Sequence, residues 1–413
     1  MDKLFINHQE YKNIYIYINN INMNIDTFSN KYKYKIDDKY YDLSEFVKIH
    51  PGGQDIFNHL KNNTNITPMV YLYHKNPKKI LEILPKYEIP LPDNVEISYE
   101  NSFTYDKYCE LKGLVNDEMQ ENKIPYFWGN REIMYNFFLL SLYIGLWTYS
   151  FYNVNNLSIL YAFGLALYTI GFVGLSFHET AHYTGFKNQK INKFISNYIA
   201  FIYFTTNEWK ERHNYLHHCF TNTEYDDDFH KNKFLLRHSN NHKHYIHHKF
   251  QYLYLNILFI LNGFNIKIKK GAPVEDYIQL LCILFLWYWF GFLHFFILLG
   301  TVGFGYTLIA NLSHIQQECI QVNNDKKKDF LYNQVSSSIN YKTNNPLIRF
   351  ITLGLDIQTE HHLFPNIPHS SLRKIQHIVR KYCEKNDIPY IEKPNIYSAI
   401  KSYLTYMFKI GNP

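Results

Sequence analysis

Residues 157–185 read LSILYAFGLALYTIGFVGLSFHETAHYTG, an apolar run that ends in two histidines four positions apart. No Asp, Glu, Lys or Arg occurs from Ile133 to Phe177, and none from Tyr277 to Ser313. A membrane-spanning helix needs about 20 apolar residues. The first stretch is broken at NVNN, residues 153–156, and is long enough for two crossings. The second holds two only if they are short or the turn is tight, with Gly291 or Gly300 as the bend. Buried helices of a soluble protein are the alternative, and uninterrupted runs of this length argue against it. Four spans are expected, near 133–152, 157–177, 277–293 and 295–313.

Basic residues flank the outer ends of both hairpins: Arg131, Lys187, Lys267, Lys269, Lys270 and Lys326 to Lys328. The hairpin tips carry none. By the positive-inside rule the N-terminus, the 178–276 segment and the tail face the cytosol. Nearly all the histidine-rich sequence then lies on that one side.

Composition closes off several other classes. The 413 residues include 42 Lys and Arg against 36 Asp and Glu, a formal charge of +6. With 46% hydrophobic and 19% charged residues the chain is not disordered. No domain-wide basic stripe points to nucleic acid. Cys109, Cys219, Cys282, Cys319 and Cys383 lie far apart, which argues against a disulfide scaffold and zinc thiolates. The first 22 residues lack a basic n-region and a small-residue cleavage site, and are read as a low-complexity leader with no inferred role. The 21 histidines need a chemical reason.

Two of them stand apart in a polar region at 23–95 with strand-like runs, KYKYKI and YYDL. His50 precedes a Pro-Gly-Gly turn, and His74 follows in VYLYHKNPKKILEIL, residues 70–84. Two histidines in a polar domain are ordinarily surface residues. With the framing KIDDKYYDLSEFVKIHPGG, residues 35–53, this pair resembles the axial haem ligands of the cytochrome b5 domain. The resemblance implies haem b held by two neutral imidazoles, cycling by one electron without binding oxygen. Residues 96–130 are charged and irregular, suiting a linker or a surface helix.

The remaining histidines form boxes. His178 and His182 share one helix face, one turn apart. NEWKERHNYLHHCFTN, residues 207–222, supplies His213, His217 and His218; here His213 and His217 are expected on one face, with His218 about 100° away and able to reach a second metal. LGLDIQTEHHLFPNIP, residues 353–368, gives Gln358, His361 and His362, and His314 ends the second apolar run. A lone HxxxH is weak evidence, as His244 and His248 in LLRHSNNHKHYIHHKFQYLY show. Three boxes at the same ends of the spans are stronger. Imidazoles without thiolates suit iron, copper or zinc, and a fused electron carrier favours a redox metal.

From about 131 to 390 the boxes resemble those of membrane fatty-acid desaturases. Gln358 in the third box, with an N-terminal cytochrome b5 domain, is the pattern of the front-end type, which acts between an existing double bond and the carboxyl end. The second box has three residues between its first two histidines where many such enzymes have two; a bacterial-type branch shares the longer spacing. The resemblance implies an α+β cytochrome b5-like domain followed by an all-α integral-membrane domain, 131–413, with four helices in two hairpins and a cytosolic helical cap. It implies two non-haem irons held by His178, His182, His213, His217, His218, His361 and His362, with His314 as an additional ligand and Gln358 at the site. Glu179, Asp226, Asp228 and Glu360 are candidates to orient the ligands. Trp209 is read as packing, and His244, His247 and His248 as surface or lipid-interface residues.

The implied chemistry is O2-dependent insertion of a cis double bond, with electrons from NADH through a cytochrome b5 reductase. The implied substrates are fatty acyl lipids in the endoplasmic reticulum membrane. Hydroxylation, sphingolipid desaturation and a haem carrier with an inactive second half are the alternatives.

Overall fold

The computed structural model describes residues 32–199, 205–226, 228, 233–268, 272–320, 328–343 and 345–413. The leader and Lys269, Lys270, Lys326 and Lys327 lie outside the described residues. The chain forms two units: one ends at Thr67 and resumes over Leu81–Glu100, the other joins Pro68–Ile80 to Asn101–Pro413.

The first unit is built on a sheet of order β3-β1-β2-β4. Strands β1 (Lys33–Ile36) and β2 (Lys39–Asp42) form an antiparallel hairpin, with Ile36 opposite Lys39. Asp37 takes φ 51, a left-handed turn conformation that Asp tolerates. Strand β3 (Thr64–Asn65) runs parallel to β1, and β4 (Glu88–Ile89) antiparallel to β2. Tyr34, Ile36, Leu43, Val47 and Phe57 are buried beneath it. The short helix Ser44–Ile49 ends at His50. The turn that follows is shaped around that ring: a Cβ on Gly52 would lie 2.9 Å from the imidazole, and Gly53 takes φ +87.

The second unit is helical: α1 (Asp106–Glu121), α2 (Asn130–Tyr152), α3 (Ile159–Ala181), α4 (Gln251–Asn262), α5 (Val274–His314), α6 (Phe330–Ser336), α7 (Gln358–Leu363), α8 (His369–Lys385) and α9 (Ile396–Gly411) are its main elements. Among the described residues, α3 and α5 are long and apolar enough to cross a membrane. Helix α5 is broken at Gly291, where φ 66 and ψ 172 suit only glycine. Of the two expected bend positions the chain uses this one, while Gly300 stays helical against Ile260. The core between α3 and α5 includes Ala166, Ile170, Phe177, Leu298 and Leu299, with Trp209 at its end.

The segment 96–130 is not a loose connection. Its helix α1 buries Tyr108, Leu111, Val115 and Met119. Lys112 is buried too, its ammonium donating to the carbonyls of Tyr71 and Leu72 at 2.7 and 2.9 Å. Burial lowers the Lys112 pKa to about 7. Tyr108 donates to the carbonyl of Leu363 at 2.7 Å and so ties α1 to the helix carrying the third box.

The histidine run after the second box is structural. His247 and His248 each engage the Phe234 carbonyl through Nε2, and His244 engages that of Gly411. His248 is fully buried, so its expected surface position is corrected: it packs the start of α4 against the end of α9.

Candidate metal centre

Helix α3 emerges from its apolar stretch carrying His178 in the last turn, with His182 as its C-cap. Their rings lie 4.7 Å apart. The second box begins on the helix Thr206–Lys210, passes through a π-helical stretch, Glu211–His217, and ends in the turn His218–Phe220. The third box lies on α7, and His314 closes α5.

These elements converge on two adjoining groups of buried imidazoles. His178, His182, His213, His218 and His361 offer ligand atoms within 4.8 Å of one another, and His217, His314 and His362 do the same. His213 stands between the two groups: it also lies within 4.8 Å of His217 and Asp228, as the i, i+4 spacing leads one to expect. The π-helical turn Glu211–His217 brings His218, five residues on, to His213 as well. On α7 the adjacent rings of His361 and His362 stand at 88° and serve opposite groups.

Several of these nitrogens have no protein partner: both of His182, Nδ1 of His178 and His218, and Nε2 of His361 and His362. An unpaired buried polar atom costs about 1–3 kcal/mol, so such a collection is sensible only where a ligand takes the lone pairs. Burial and the neighbouring imidazoles push His218, His361 and His362 well below the usual histidine range, leaving them neutral as metal binding requires. All-nitrogen donors without thiolate fit non-haem iron.

Two of the four expected carboxylates contact box histidines. Asp226, fully buried, accepts from Nδ1 of His217 at 3.1 Å and from the Asn222 amide at 2.9 Å. Asp228 lies 3.6 Å from Nδ1 of His213 and 2.7 Å from Nε of Arg212. Burial resists ionisation of Asp228, but Arg212 and His213 outweigh it and hold the carboxyl well below its ordinary value. The other two candidates do different work. Glu360 accepts from Tyr390 at 2.6 Å and Asn340 at 2.8 Å, fastening α7 from behind, and burial raises it to about 7. Glu179 faces away from the ligand next to it and binds the Trp128 indole and His369. His369 was not singled out in the sequence; its only local signal is its place seven residues beyond His362.

Gln358 Nε2 lies 2.9 Å from His314 Nε2, and His314 Nδ1 donates to the Ser337 carbonyl at 2.8 Å. Trp209 stacks on His213 at 4.2 Å and donates to Tyr306 at 2.7 Å. Tyr73, the residue before His74, donates to the carbonyl of Asn214 at 3.0 Å. Asn214 follows His213 and itself donates to the Ala181 carbonyl, so residues 68–80 are fastened to the first two boxes.

A cavity of about 470 Å3 opens beside the imidazoles. Its lining includes His178, His217, His314 and Gln358, the apolar Phe259, Leu353 and Leu355, and the exposed Asn265 and Lys267. Gly174 leaves room for Leu353: a Cβ there would lie 2.2 Å from its side chain.

Replacing Asp226 with asparagine removes the charge that fixes the His217 tautomer. Metal affinity is expected to fall about 10- to 100-fold, the range for such supporting carboxylates, with iron content per chain as the readout.

A family model described as fatty acid desaturase matches residues 155–394. The chain belongs to that family. The desaturase is 24% identical to the probable Delta(5) fatty acid desaturase C of Dictyostelium discoideum, over 94% of this chain and 93% of that one. It is 24% identical to an acyl-lipid (8-3)-desaturase of Physcomitrium patens, over 90% and 87% of the two chains. An sn-1 linoleoyl-lipid 6-desaturase of Synechocystis matches at 27% over 60% of this chain and 80% of its own. No solved structure gives a significant match. The protein is thus an oxidoreductase of the desaturase type, from a membrane-bound family.

Proposed function

We propose that this desaturase is a front-end enzyme that inserts a cis double bond into an unsaturated fatty acyl chain, using O2 and two non-haem irons. The observation that carries the reading is the pair of buried imidazole groups beside a cavity lined in part by Phe259, Leu353 and Leu355. The size of that cavity falls within the ~300–1,000 Å3 of small-molecule sites. The relatives named for Delta(5), (8-3) and 6 positions support the front-end assignment.

An unactivated C–H bond offers no acidic proton, so the hard chemistry belongs to the metals. When bound, the two irons would supply O2 activation: two hydrogens leave adjacent methylenes, two electrons and two protons enter, and two waters leave. The protein's part is positional. His178, His182, His213, His218 and His361 would hold one iron, and His217, His314 and His362 the other, with Gln358 beside His314. Asp226 and Asp228 set the ring orientations of His217 and His213. Phe259, Leu353 and Leu355 exclude water and align the acyl chain, while Asn265 and Lys267 at the open rim suit a polar carrier.

Electrons are assigned to haem b in residues 23–95, received from NADH through a cytochrome b5 reductase; when bound, the haem would pass them singly. The donor set fits. His50 donates Nδ1–H to the Gly53 carbonyl at 3.1 Å, and His74 donates Nδ1–H to that of Val70 at 3.0 Å. Each imidazole is thereby fixed with its lone pair on Nε2, and His50 and His74 would hold the haem iron through that nitrogen. Phe46 and Phe57 stand edge-on to His50 at 5.5 and 5.1 Å. In this reading the chain crosses the endoplasmic reticulum membrane four times, with the two halves of α5 about Gly291 as one hairpin and the histidines facing the cytosol.

Expression in yeast supplied with a panel of polyunsaturated acids, followed by lipid profiling, tests the reading. A new acyl species with one more double bond, on the carboxyl side of an existing one, is the expected product. A hydroxylated acyl chain or an unsaturated sphingoid base in its place overturns it.

A further inference from the structure

Helix α4 holds no charged residue, and the charge-free run extends from Phe250 to Ile266, between Lys249 and Lys267. At 1.5 Å per residue its 12 residues reach about 18 Å, short of the ~30 Å hydrocarbon core of a bilayer. An apolar helix of that length is either a buried core element or a segment lying in the membrane interface. The exposures decide between the two. Leu255 and Phe259 are buried in the core that α4 shares with α9, but the opposite face is open: Leu253, Ile257 and Leu261 are each more than half exposed. Ile246 and Phe250, in the turn that leads into α4, extend this row at the same three- and four-residue steps.

Helix α8 shows the contrast, since it exposes Lys374, His377, Lys381, Glu384 and Lys385. Helix α4 packs along α5, with Gly263 and Gly303 in close approach and Phe264 stacked on Phe296 at 5.3 Å. Phe292 and Leu293 of α5 are exposed as well, and most of that helix's apolar stretch is unburied. The open face of α4 therefore continues onto a helix long and apolar enough to cross a membrane. A contiguous apolar surface marks a membrane or a protein interface, and continuity with α5 selects the membrane. Lys249 and Lys267, both exposed, bound the run where ammonium groups meet anionic headgroups. The same face meets the cavity. Leu261, the last residue of the row, lines it, and so does exposed Leu235, whose carbonyl accepts from Tyr254 of α4 at 2.7 Å.

We propose that α4 lies within one leaflet of the membrane, with Leu253, Ile257 and Leu261 among the acyl chains, and that the cavity opens sideways into the bilayer at Leu235 and Leu261, taking its substrate chain from a lipid resident there. The sideways opening rests on the reading of the cavity as the acyl-chain site; the placement of α4 does not. An interfacial helix of this kind holds its apolar face at the boundary of headgroups and acyl chains, so a chain can enter at Leu261 without crossing water.

The test places the photoreactive p-benzoylphenylalanine at Ile257, Leu261 or Lys381 of the full-length protein in yeast microsomes, with adducts identified by mass spectrometry after irradiation. Phospholipid adducts are expected at Ile257 and Leu261 and none at Lys381. Adducts at Ile257 to protein alone, whether a second copy or another chain, overturn the placement of α4, and so do lipid adducts in equal yield at all three positions. Lipid at Ile257 without lipid at Leu261 overturns the sideways opening. If the Ile257 variant does not accumulate, Leu253 takes its place in the row. As a second readout, Leu261→Trp narrows the opening and is expected to lower product severalfold with iron content per chain unchanged; full product overturns the opening. Lipid adducts at both α4 positions in an unsubstituted enzyme that forms no unsaturated product would instead defeat the acyl-chain reading of the cavity and leave α4 in the membrane, so the two failures are distinguishable.

Discussion

His361→Ala is expected to abolish double-bond formation while leaving the haem absorption spectrum intact. His361 sits at the centre of the first imidazole group, with ring centroids 4.5 Å from His178, 4.9 Å from His182 and 4.7 Å from His218. Its Nε2 has no protein partner, so truncation breaks no hydrogen bond that Nε2 makes within the protein. What it removes is a donor. A metal supplies several kcal/mol of transition-state stabilisation, and each 1.36 kcal/mol is a factor of ten in rate. Losing the iron proposed for the first group should therefore lower product more than ~1,000-fold, below detection in a lipid profile. The spectrum of the proposed haem would report on His50 and His74, in other parts of the sequence, and serve as the control for folding. Unchanged product would remove His361 from the metal set; loss of product together with the haem would show only an unfolded chain.

The parts of this centre that can be read in the sequence are those fixed by local geometry. HxxxH at 178–182 is one helical turn wherever it occurs, and the charge-free runs announce apolar helices by length alone. The hairpin at KYKYKI and YYDL follows from short alternating strands around an Asp-Asp turn. What was hidden depends on departures from ideal local geometry or on tertiary contacts. A π-helical turn carries no sequence rule, so the reach of His213 to His218 as well as to His217 was not legible. Glu179 and Glu360 looked like supports because each adjoins a ligand, but helix neighbours point about 100° apart. Each instead reaches a partner far along the chain, Glu179 to His369 and Glu360 to Tyr390. His369 itself had no motif, because its meaning comes from a carboxylate 190 residues away. Likewise, tertiary bonds such as those from Lys112 and Tyr73, which no local pattern announces, join residues 68–80 to the helical unit.

Gly303→Val is expected to be the most damaging single change outside the metal centre. A Cβ at Gly303 would lie 2.3 Å from the amide nitrogen of Gly263, 2.5 Å from its Cα and 3.1 Å from the Phe259 carbonyl oxygen. The reciprocal approach is as close, since a Cβ on Gly263 would lie 2.0 Å from the Leu299 carbonyl oxygen. These are backbone atoms, which no rotamer change can move aside, so α5 and the end of α4 must separate. Overpacking a core costs about 1–3 kcal/mol when side chains can adjust, and here they cannot. The displacement also reaches the chemistry, because α5 ends in His314 while Phe259 and Asn262 of α4 line the cavity. Gly164 provides the contrast: it lies on an apolar helix as well, but nothing stands within 4 Å of its Cβ position. Gly164→Val should accumulate in membranes and retain activity, whereas Gly303→Val should accumulate poorly and bind less iron. Comparable iron content and activity in both variants would mean that α4 and α5 do not meet at Gly263 and Gly303.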